Sequence, residues 1–558
     1  MIGASLLESV RSGELARSWR TNAIAGIVVG IVALPLSMGL SIAVGLPPQH
    51  GLYTAIVGGI VIALLGGSPV NISGPTAAFV VILAPIVNQY GYGGLLVSGL
   101  LSGVILVGMG ALKLGRFIQT VPYPVVIGFT AGIGTVIASL QLKDLLGLVP
   151  AEASSHFFDR VASYVTAFHT LRWQEAAVGI STLAIIFLWK KVPIRIPGYF
   201  VALLWGTALA AIFNQVPTLP DVETIASRFS YSIGDTIGRG IPPIAPSFNW
   251  PWTLVQEGGT SVGISFSLVQ TFFSAAFTIA VLGALESLLC AVVADGMTGK
   301  QHNPDSELIG QGVGNIVVPF FGGIPATAAI ARTALNVRSG GSTPVAAVVH
   351  SLFLLASILT LAPWLSHVPM AVMAAILVAV AWNMSQVHHV FHLFRTAPRA
   401  DVSVFLVCYG LTVAVDMQVA VAAGMLMAAA LFIRRMSELT SSTVLSDHQA
   451  HPHLSGKDGV VIFDVDGPLF FGAAHKALKI ITSVDPGVRC VVLDVSGVPV
   501  IDTTGMVNLR SLGDSLQRRG IRLWLLKPQD RIKAKLERFG LGKGASSILI
   551  TDDASVIE

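Results

Sequence analysis

The segment FFGGIPATAAIARTALNVRSGG at residues 320–341 constrains the fold of this chain more than any other. It is apolar enough to enter a lipid bilayer, but a Gly-Gly-Ile-Pro sequence interrupts it near its start, and Arg332 places a charge within it. We predict a half-length helix that begins at about Ala326 or Thr327 and ends by Gly340. Irregular backbone at membrane depth is tolerated only where protein covers it or where it lines a cavity. A helix N-terminus in such a cavity is suited to binding an anion.

The chain contains a second copy of this feature. Residues 70–80 read VNISGPTAAFV, in which a Gly-Pro pair again precedes Thr-Ala-Ala. Thr76 and Thr327 are 251 residues apart, and so are Pro35 and Glu286, each of which lies in the middle of a long apolar segment. A repeat at a constant offset indicates two halves of one fold. Paired interrupted segments in corresponding positions indicate the binding site of a secondary transporter.

The composition is that of a multi-pass membrane protein. Of 558 residues, 53% are hydrophobic and 11% are charged, which is atypical of a soluble enzyme. The formal net charge of +4 is small and forms no basic stripe, so we predict no nucleic-acid partner. The three cysteines indicate neither a disulfide framework nor a metal quartet. Residues 1–21 are a polar lead-in that lacks the features of a signal peptide.

The apolar segments predict fourteen spans, seven in each half. An ordinary membrane-spanning helix needs about 20 apolar residues. The predicted spans lie near 22–44, 51–66, 76–89, 92–112, 122–140, 174–190, 198–215, 269–294, 307–320, 327–338, 343–362, 368–383, 401–417 and 418–436. The third and the tenth are too short to cross a bilayer and are predicted to be half-helices. An odd number of spans per half places the second half upside down, so the half-helices approach the midplane from opposite sides.

Basic residues between the spans predict the orientation. If the spans alternate in direction, Arg17, Arg20 and Lys190 fall on one side, which the positive-inside rule assigns to the cytoplasm. The long loops 141–173 and 216–268 fall on the other side. We therefore predict an inner-membrane protein whose N- and C-termini are both cytoplasmic.

The pattern changes after the last span. The transmembrane domain is predicted at 22–437, a polar linker at 438–457, and a small cytoplasmic α/β domain with a mostly parallel sheet at 458–558. The predicted strands of this domain are VVIFDV, PLFFG, RCVVLDVSG, IRLWLLK and SSILIT, and its predicted helices are 474–482, 504–519 and 529–538.

Several separate motifs carry a resemblance to a known family. PPQHGLYTA at 47–55 and SELIGQGVGNIVVPFFGGIPATAAIARTALNVRSG at 306–340 resemble motifs of the sulfate permease (SulP) family, and DVSGVPVIDTTG at 494–505 resembles the STAS domain that follows its membrane region. The resemblance implies two inverted seven-span repeats. It further implies that a core domain, made of the first four spans of each repeat, moves against a gate domain made of the last three. The anion would lie between the two half-helices.

One departure from the family pattern bears on the substrate. Many members have Pro-Gln in the first span, where the Gln side chain lines the site, whereas this chain reads Pro35, Leu36, Ser37, Met38. In this feature, and in ALESLLCAVVADGMTG at 284–299, the chain looks most like the aerobic C4-dicarboxylate permeases of bacteria. The resemblance therefore implies a dicarboxylate such as succinate, with sulfate and bicarbonate as alternatives.

The N-termini of the two half-helices are the predicted anion site. Thr76 and Ala77 contribute from the first half-helix, and Thr327, Ala328 and Ala329 from the second. Each threonine could instead simply cap its own helix, which is worth about 1 kcal/mol. Two facing N-termini supply about half a positive charge each, which roughly balances a monoanion.

Two charged residues are predicted beside this site. An arginine within a membrane span is costly, so Arg332 is predicted to add positive charge for a dianion; the alternative is a structural ion pair with Glu286. Glu286 is the sole carboxylate of the eighth predicted span. Removal from water favours a neutral carboxyl, so we predict that Glu286 couples transport to a proton. The alternatives are a purely structural role and coupling to sodium, since some sodium-dependent members of the family place Asp at this position.

The other motifs indicate no catalytic centre. Thr504 matches the phosphorylated position of soluble relatives of the STAS domain, with an ordinary helix N-cap as the alternative. His388, His389 and His392 lie close in sequence but lack the carboxylate or cysteine that would complete a metal site. GLGKGASS at 540–547 does not have the spacing of a P-loop. We predict no metal, no cofactor and no enzymatic activity.

Taken together, these features predict a secondary active transporter that takes up a small anion with a coupling proton. We expect contacts with membrane lipid, a homodimer, and a cytoplasmic partner for the STAS domain. The alternatives from other classes are an anion channel and a sensor that signals through the STAS domain. Saturable, proton-dependent uptake without single-channel current distinguishes a transporter from a channel.

Overall fold

The computed structural model describes most of the chain. The described residues are 3–118, 121–151, 156–193, 196–233, 236–254, 256–257, 260–261, 266–438, 441–444, 459–469, 487–542 and 547–557. Their contacts divide the chain into two compact units, Met1–Met425 and Leu426–Glu558.

The first unit is built almost entirely of helices, as the hydropathy requires, because a backbone in lipid must satisfy its own hydrogen bonds. Its helices are α1 (Ala4–Arg11), α2 (Glu14–Arg17), α3 (Trp19–Val44), α4 (Pro48–Tyr53), α5 (Gly59–Leu65), α6 (Ala77–Ala111), α7 (Gly115–Ile118), α8 (Tyr123–Leu146), α9 (Phe157–Thr166), α10 (Trp173–Leu188), α11 (Gly198–Phe213), α12 (Ile225–Arg228), α13 (Phe266–Thr298), α14 (Pro304–Val317), α15 (Ile330–Arg338), α16 (Val345–Leu365), α17 (Met370–Met384), α18 (Val387–Thr396) and α19 (Arg399–Ala414). Helix α20 (Met417–Glu438) runs from the first unit into the second. A π-helical turn, Thr54–Gly58, joins α4 to α5.

The long apolar helices confirm a polytopic membrane fold. Among the described residues, eight helices are long and apolar enough to cross a membrane, or nine if Phe157–Thr170 and Trp173–Leu188 form one bent span. The predicted count of fourteen is not reached by this measure. Helices α11 and α14 have only 16 and 14 residues, and α6 holds both the third and the fourth predicted spans in one run.

Helix α6 is not continuous where those two spans meet. Gly91 has φ 69° and ψ −175°, which is not helical, and it lies between the predicted segments 76–89 and 92–112. Glycine is suited to this position because a positive φ strains residues that carry a Cβ. The sequence boundary between the first half-helix and the next span is therefore confirmed.

The helices of the first unit pack in two groups. In one group α6 packs against α13 and α14, and α3 packs against α16; in the other, α8 packs against α17 and α19, and α10 packs against α11 and α17. These groups correspond to the first four and the last three predicted spans of each repeat. The division into a core and a gate that the family resemblance implied is therefore present in the packing.

Short strands complete the first unit. They are β1 (Ser73–Gly74), β2 (Ser230–Ile233), β3 (Thr236–Arg239), β4 (Gln256–Glu257), β5 (Thr260–Ser261) and β6 (Thr327–Ala328). The pairs β2–β3 and β4–β5 are local antiparallel hairpins, whereas β1 pairs with β6 from the other half of the chain. This last pair lies at the predicted site.

The second unit contains an α/β sheet. Its strands are β7 (Ser441–Val444), β8 (Val460–Asp466), β9 (Cys490–Asp494), β10 (Arg522–Leu526) and β11 (Ile548–Thr551). The strand order is β11-β10-β9-β8-β7, with β8 to β11 parallel and β7 antiparallel to β8. The helices α21 (Thr503–Arg518) and α22 (Asp530–Arg538) supply apolar residues to the core of this sheet.

This arrangement confirms the predicted mostly parallel α/β domain, with one addition. Strand β7 lies within residues 438–457, which the polar composition assigned to a linker. Its SSTV sequence reads as polar, but it forms an edge strand, where only one side of the backbone needs a partner. The predicted helix 474–482 and most of the predicted strand PLFFG lie outside the described residues.

Candidate functional site

The first half-helix begins where the sequence predicted. Thr76 is the N-cap of α6, with φ −127° and ψ 157°, and Ala77 is the first helical residue. The Thr76 side chain makes no capping hydrogen bond to α6. Capping, the simpler explanation of this threonine, is therefore not its role in the structure.

The second half-helix begins later than predicted. Helix α15 starts at Ile330 with Ala329 as its N-cap, whereas the sequence placed the start at about Ala326 or Thr327. The physical reason is that Thr327 and its neighbour form strand β6, which pairs with a strand from the first half and keeps the backbone extended. This pairing joins residues far apart in sequence, so local helix propensity does not reveal it.

The strand pair joins the two repeats directly in front of both helices. Ser73 pairs with Ala328 and Gly74 pairs with Thr327 in antiparallel register. The N–H of Ala329 donates to a carbonyl of the first repeat, at Ile72, over 2.9 Å. Both half-helices therefore lead away from one shared point, and the positive ends of their dipoles converge there.

Polar side chains support the broken backbone before α15. The side-chain amide of Asn315 accepts a hydrogen bond from the Ala326 N–H at 2.7 Å and donates one to the Ala326 carbonyl at 2.8 Å. The Thr54 hydroxyl accepts from the Ile324 N–H at 2.7 Å. These side chains supply the partners that irregular backbone needs where water is absent.

Glu307 supports the corresponding segment of the first repeat. One of its carboxylate oxygens accepts from the N–H groups of Gly67 and Ser68, at 2.9 and 3.0 Å. The other accepts from the side chain of Asn71 at 2.9 Å. Gln311 donates to the hydroxyl of the β1 serine at 2.9 Å. The carboxylate is buried and holds this loop in place through at least three hydrogen bonds.

These supports form a row that sequence reasoning missed. Glu307, Gln311 and Asn315 follow at intervals of four residues on α14, so they lie along one face of that helix. The first two hold the segment before α6, and the third holds the segment before α15. Polar residues at four-residue spacing within an otherwise apolar helix are the sequence signal that could have identified them.

Glu286 contacts the first half-helix. The Thr76 hydroxyl donates to a carboxylate oxygen of Glu286 over 2.8 Å. Thr76 is buried, whereas Glu286 is partly accessible. The structure therefore brings these two predicted residues together.

Ser287, the next residue of α13, contacts the second half-helix segment. Its hydroxyl lies 2.7 Å from the hydroxyl of Thr327 and accepts from the Ala328 N–H at 3.3 Å. Thr327 is fully buried. Two consecutive residues of α13 thus bond to the matched threonines of both repeats. Sequence reasoning missed Ser287, because a serine beside a glutamate attracts little notice.

Arg332 crosses from one repeat to the other. It is the third residue of α15, closer to the N-terminus than predicted, and its Nη2 donates to the Pro75 carbonyl over 2.5 Å. A Cβ at Gly74 would lie 2.8 Å from Nη1, so a glycine there leaves room for the guanidinium. Nη1 is buried and has no hydrogen-bond partner among the residues that the structure describes.

Arg332 and Glu286 are not ion-paired. The salt bridges within the described ranges do not include this pair. The structural alternative for Arg332, an ion pair with Glu286, is therefore not formed. The guanidinium instead adds its positive charge beside the two helix N-termini.

A cavity of about 550 Å³ lies near the predicted anion site, but its lining does not include the strand pair β1–β6. Its lining includes Val80, Gln141, Lys143, Arg160 and Tyr164. Val80 lies one helical turn beyond Thr76 on α6. The cavity therefore reaches to within about one turn of the first half-helix N-terminus, on the side away from the strand pair.

The other residues singled out in the sequence lie elsewhere. Asp502 is the N-cap of α21 and accepts from the Gly505 N–H at 2.7 Å, which places Thr504 in the first turn of that helix. His389 contacts the Tyr123 hydroxyl at 2.8 Å. Within the described ranges, no group of three His, Cys, Asp or Glu side chains is arranged to hold a metal. Lys543 of the glycine-rich segment lies outside the described residues.

A bundle of membrane helices with two half-helices that meet at a polar centre, followed by an α/β domain, is an arrangement typical of a transporter. Comparisons with known proteins agree. The Sulfate permease family profile matches residues 20–408, and the STAS domain profile matches residues 451–548. The chain belongs to the sulfate permease family and carries a C-terminal STAS domain.

Among curated relatives, the chain is 38% identical to YvdB of Bacillus subtilis, whose name assigns it provisionally to sulfate transport, over 95% of each chain. It is 29% identical to the bicarbonate transporter BicA of Picosynechococcus, over 94% of this chain and 92% of BicA.

Among solved structures, the chain resembles murine Slc26a9, an anion transporter in the inward-facing state. The TM-score is 0.80 with 17% identity, and the match covers 96% of this chain and 90% of that chain. This likeness shows the fold. The names of these relatives include sulfate and bicarbonate but no dicarboxylate, so the more specific resemblance to C4-dicarboxylate permeases gains no support from them.

Proposed function

We propose that this anion transporter takes up a small dianion together with a proton, and that Glu286 carries the proton. The observation behind this proposal is the 2.8 Å hydrogen bond between Thr76 and Glu286. It places a titratable carboxyl group at the N-terminus of the first half-helix, where an anion would bind. A proton taken up by this group therefore changes the charge that the anion meets.

The charges at the site support a dianion when Glu286 is protonated. Arg332 contributes one positive charge, and the two helix N-termini contribute about half a charge each. With a neutral Glu286 the site carries about two positive charges, and with an ionised Glu286 it carries about one. A dianion matches the first state and a monoanion matches the second. This difference gives a physical reason for a proton and a dianion to bind together.

The substrate we propose first is a C4-dicarboxylate such as succinate. The support comes from the sequence Pro35-Leu36 where many members of the family carry Pro-Gln. Sulfate is the second candidate, because it is also a dianion and the name of YvdB refers to it. Bicarbonate is the third, because BicA is named for it and a monoanion fits the ionised state of Glu286.

A competition panel in proteoliposomes separates these substrates. The purified protein is reconstituted, and uptake of labelled succinate is measured against unlabelled sulfate, bicarbonate, fumarate and aspartate. We expect fumarate to compete at concentrations similar to those of succinate, and sulfate to compete weakly. Saturable uptake of labelled sulfate that succinate does not inhibit would reject the dicarboxylate and leave the dianion proposal standing.

The coupling role of Glu286 is tested by Glu286→Gln, which mimics the protonated form at nearly constant shape. The variant should still exchange substrate across the membrane at pH 7.5, but it should lose both acid stimulation and accumulation against a gradient. The matched control is Glu175→Gln, which neutralises a buried carboxylate in the other helix group, on α10.

We expect Glu175→Gln to keep the wild-type pH profile. A Glu286→Gln variant with a wild-type pH profile, or a wild type that requires sodium and ignores pH, would remove the proton-coupling role. In the second case Glu286 would become a candidate for cation binding.

The membrane orientation and the assembly also belong to this proposal. We propose that both termini are cytoplasmic, in the inner membrane, and that the protein is a homodimer whose STAS domain binds a cytoplasmic partner. Orientation can be tested by thiol labelling, because the native cysteines Cys290, Cys408 and Cys490 are all buried. A single cysteine introduced near residue 10 should react with an impermeant reagent only after the cells are opened.

A further inference from the structure

A short helix, α18, follows helix α17 after a break of two residues, Ser385 and Gln386. Gln386 has a left-handed backbone, with φ 45° and ψ 44°, and α18 begins at the next residue. Non-glycine residues adopt this conformation infrequently. At ten residues α18 is too short to cross a bilayer. Together α17 and α18 make one candidate span of 27 residues, Met370–Thr396. Since about 20 residues cross the hydrocarbon core, α18 extends past the core at one end, to the membrane interface.

The apolar residues of α18 divide between the protein and its surroundings. Val390 and Leu393, three residues apart, lie on one face, and Leu393 is buried. Phe391 and Phe394 lie on a neighbouring face and are 62% and 47% exposed. Exposed Phe rings on an amphipathic helix are typical of a helix face that meets lipid. Trp382, near the end of α17, is 57% exposed as well.

A polar edge runs along the other side of these rings. His388, His392 and Arg395 follow at spacings of four and three residues, so they share one face, and all three are exposed. None of the three side chains has a hydrogen-bond or ion-pair partner within the described part of the chain. Residues 385–400 contain no Asp or Glu. No acid within this stretch compensates the charge of Arg395.

The ring of Phe391 lies directly beside this charge. It is three residues after His388 and four before Arg395, which are the spacings of neighbouring side chains on a helix. We propose that α18 lies in the membrane interface and binds the headgroup of an anionic phospholipid. The phosphate would contact Arg395 and the rest of the polar edge, and the acyl chain would pack on the two exposed rings.

Contacts of α18 connect this site to the helices of the second group. His389 contacts the Tyr123 hydroxyl at the start of α8. The ring of Phe394 packs edge-on against Phe405 of α19, with 5.5 Å between centroids. A bound lipid would therefore hold α18 against the ends of α8 and α19. We expect this group of helices, which the family resemblance assigns to the gate, to respond to the anionic lipid content of the membrane.

The test measures binding of short-chain lipids to the full-length protein in detergent. The probes are dioctanoyl phosphatidylglycerol, which is anionic, and dioctanoyl phosphatidylcholine, which is neutral overall. Arg395→Gln should weaken binding of phosphatidylglycerol about fivefold, the equivalent of about 1 kcal/mol for one cation, and should leave phosphatidylcholine unchanged. The matched control is Arg518→Gln, which removes an exposed arginine from α21 and should change neither.

Two further arms identify the ligand. Phe391→Ser combined with Phe394→Ser should weaken binding of both lipids, because both acyl chains lose their apolar contact. Inorganic phosphate at matched ionic strength should not displace phosphatidylglycerol. The proposal is overturned if Arg395→Gln binds phosphatidylglycerol as the wild type does, or if phosphate alone displaces it. Melting temperatures measured without lipid show that each variant is folded.

Discussion

Replacement of Asn315 by leucine should damage the site without touching any residue predicted to bind the anion. Asn315 is fully buried, and its side-chain amide bonds to both the N–H and the carbonyl of Ala326. Leucine has a similar volume but no polar atoms. The Asn315→Leu variant therefore leaves two backbone groups without partners in the segment that leads to Thr327.

The expected loss of stability follows from the two backbone groups of Ala326 that lose their partners. A buried donor or acceptor that loses its partner costs about 1–3 kcal/mol, so the variant should lose about 2–6 kcal/mol of stability if the segment keeps its shape. The protein can reduce this cost only by moving the Ala326 peptide toward water. That movement would carry Thr327 away from Ser287, with which it shares a 2.7 Å hydroxyl contact. Either route should reduce transport strongly.

The chain offers a matched control in Asn214. Its side chain makes the same pair of bonds to one residue, accepting from the Val222 N–H at 2.7 Å and donating to the Val222 carbonyl at 3.3 Å. Asn214 is exposed, however, so water can replace its side chain. Asn214→Leu should cost less than about 1 kcal/mol and should keep transport near the wild-type rate.

Both variants are compared by detergent-titration unfolding and by uptake in proteoliposomes. Equal effects of the two substitutions on stability and uptake would show that the burial of Asn315 does not determine the cost of losing its bonds to Ala326. If Asn315→Leu transports at the wild-type rate, the bonds of Asn315 to Ala326 do not position the second half-helix.

Three further predictions concern Thr76, strand β7 and His350. Thr76→Val keeps the shape of the side chain but removes its hydrogen bond to Glu286, so anion affinity measured by competition should fall about two- to tenfold; unchanged affinity would separate Thr76 from the site. A tail fragment 439–558 should resist urea better than 458–558, since only the longer one includes β7 at the sheet edge; both should show α/β circular dichroism, and equal midpoints would mean that β7 adds nothing. His350 is buried, and neither ring nitrogen makes a hydrogen bond of ordinary geometry to the described residues. Because of this, His350→Leu should keep or raise the melting temperature, and a large drop would reveal a polar contact at that position.

Much of the fold could be predicted from hydropathy and repetition. Long apolar runs identify spans because lipid forces the backbone into helices. The constant offset of 251 residues predicts that the Thr76 and Thr327 segments are equivalent, and the strand pair brings these two segments together. In the tail, alternation of apolar strands with amphipathic helices predicts the parallel sheet. These signals are local or strictly periodic, so they can be read from one sequence.

The features that were not predicted all depend on partners distant in sequence. The start of α15 is shifted by the pairing of Thr327 with a strand of the other repeat. The partner of Arg332 is a backbone carbonyl at Pro75, which no residue type encodes. Strand β7 has a polar sequence and is identified only by the neighbour to which it bonds. Ser287 does not stand out for the same reason, whereas Asn315 does carry a local signal, its four-residue spacing from Gln311 on α14.

The adjacent pair Glu286 and Ser287 makes α13 sensitive to its rotation. Successive helical residues point about 100° apart, and these two contact Thr76 and Thr327 of opposite repeats. Deletion of a single apolar residue earlier in α13 would leave its hydropathy and its length nearly unchanged. It would nevertheless turn both side chains by about 100° and separate them from both threonines at once. The number of residues between the start of α13 and Glu286 therefore matters for these contacts as much as the identity of the residues at the centre of the helix.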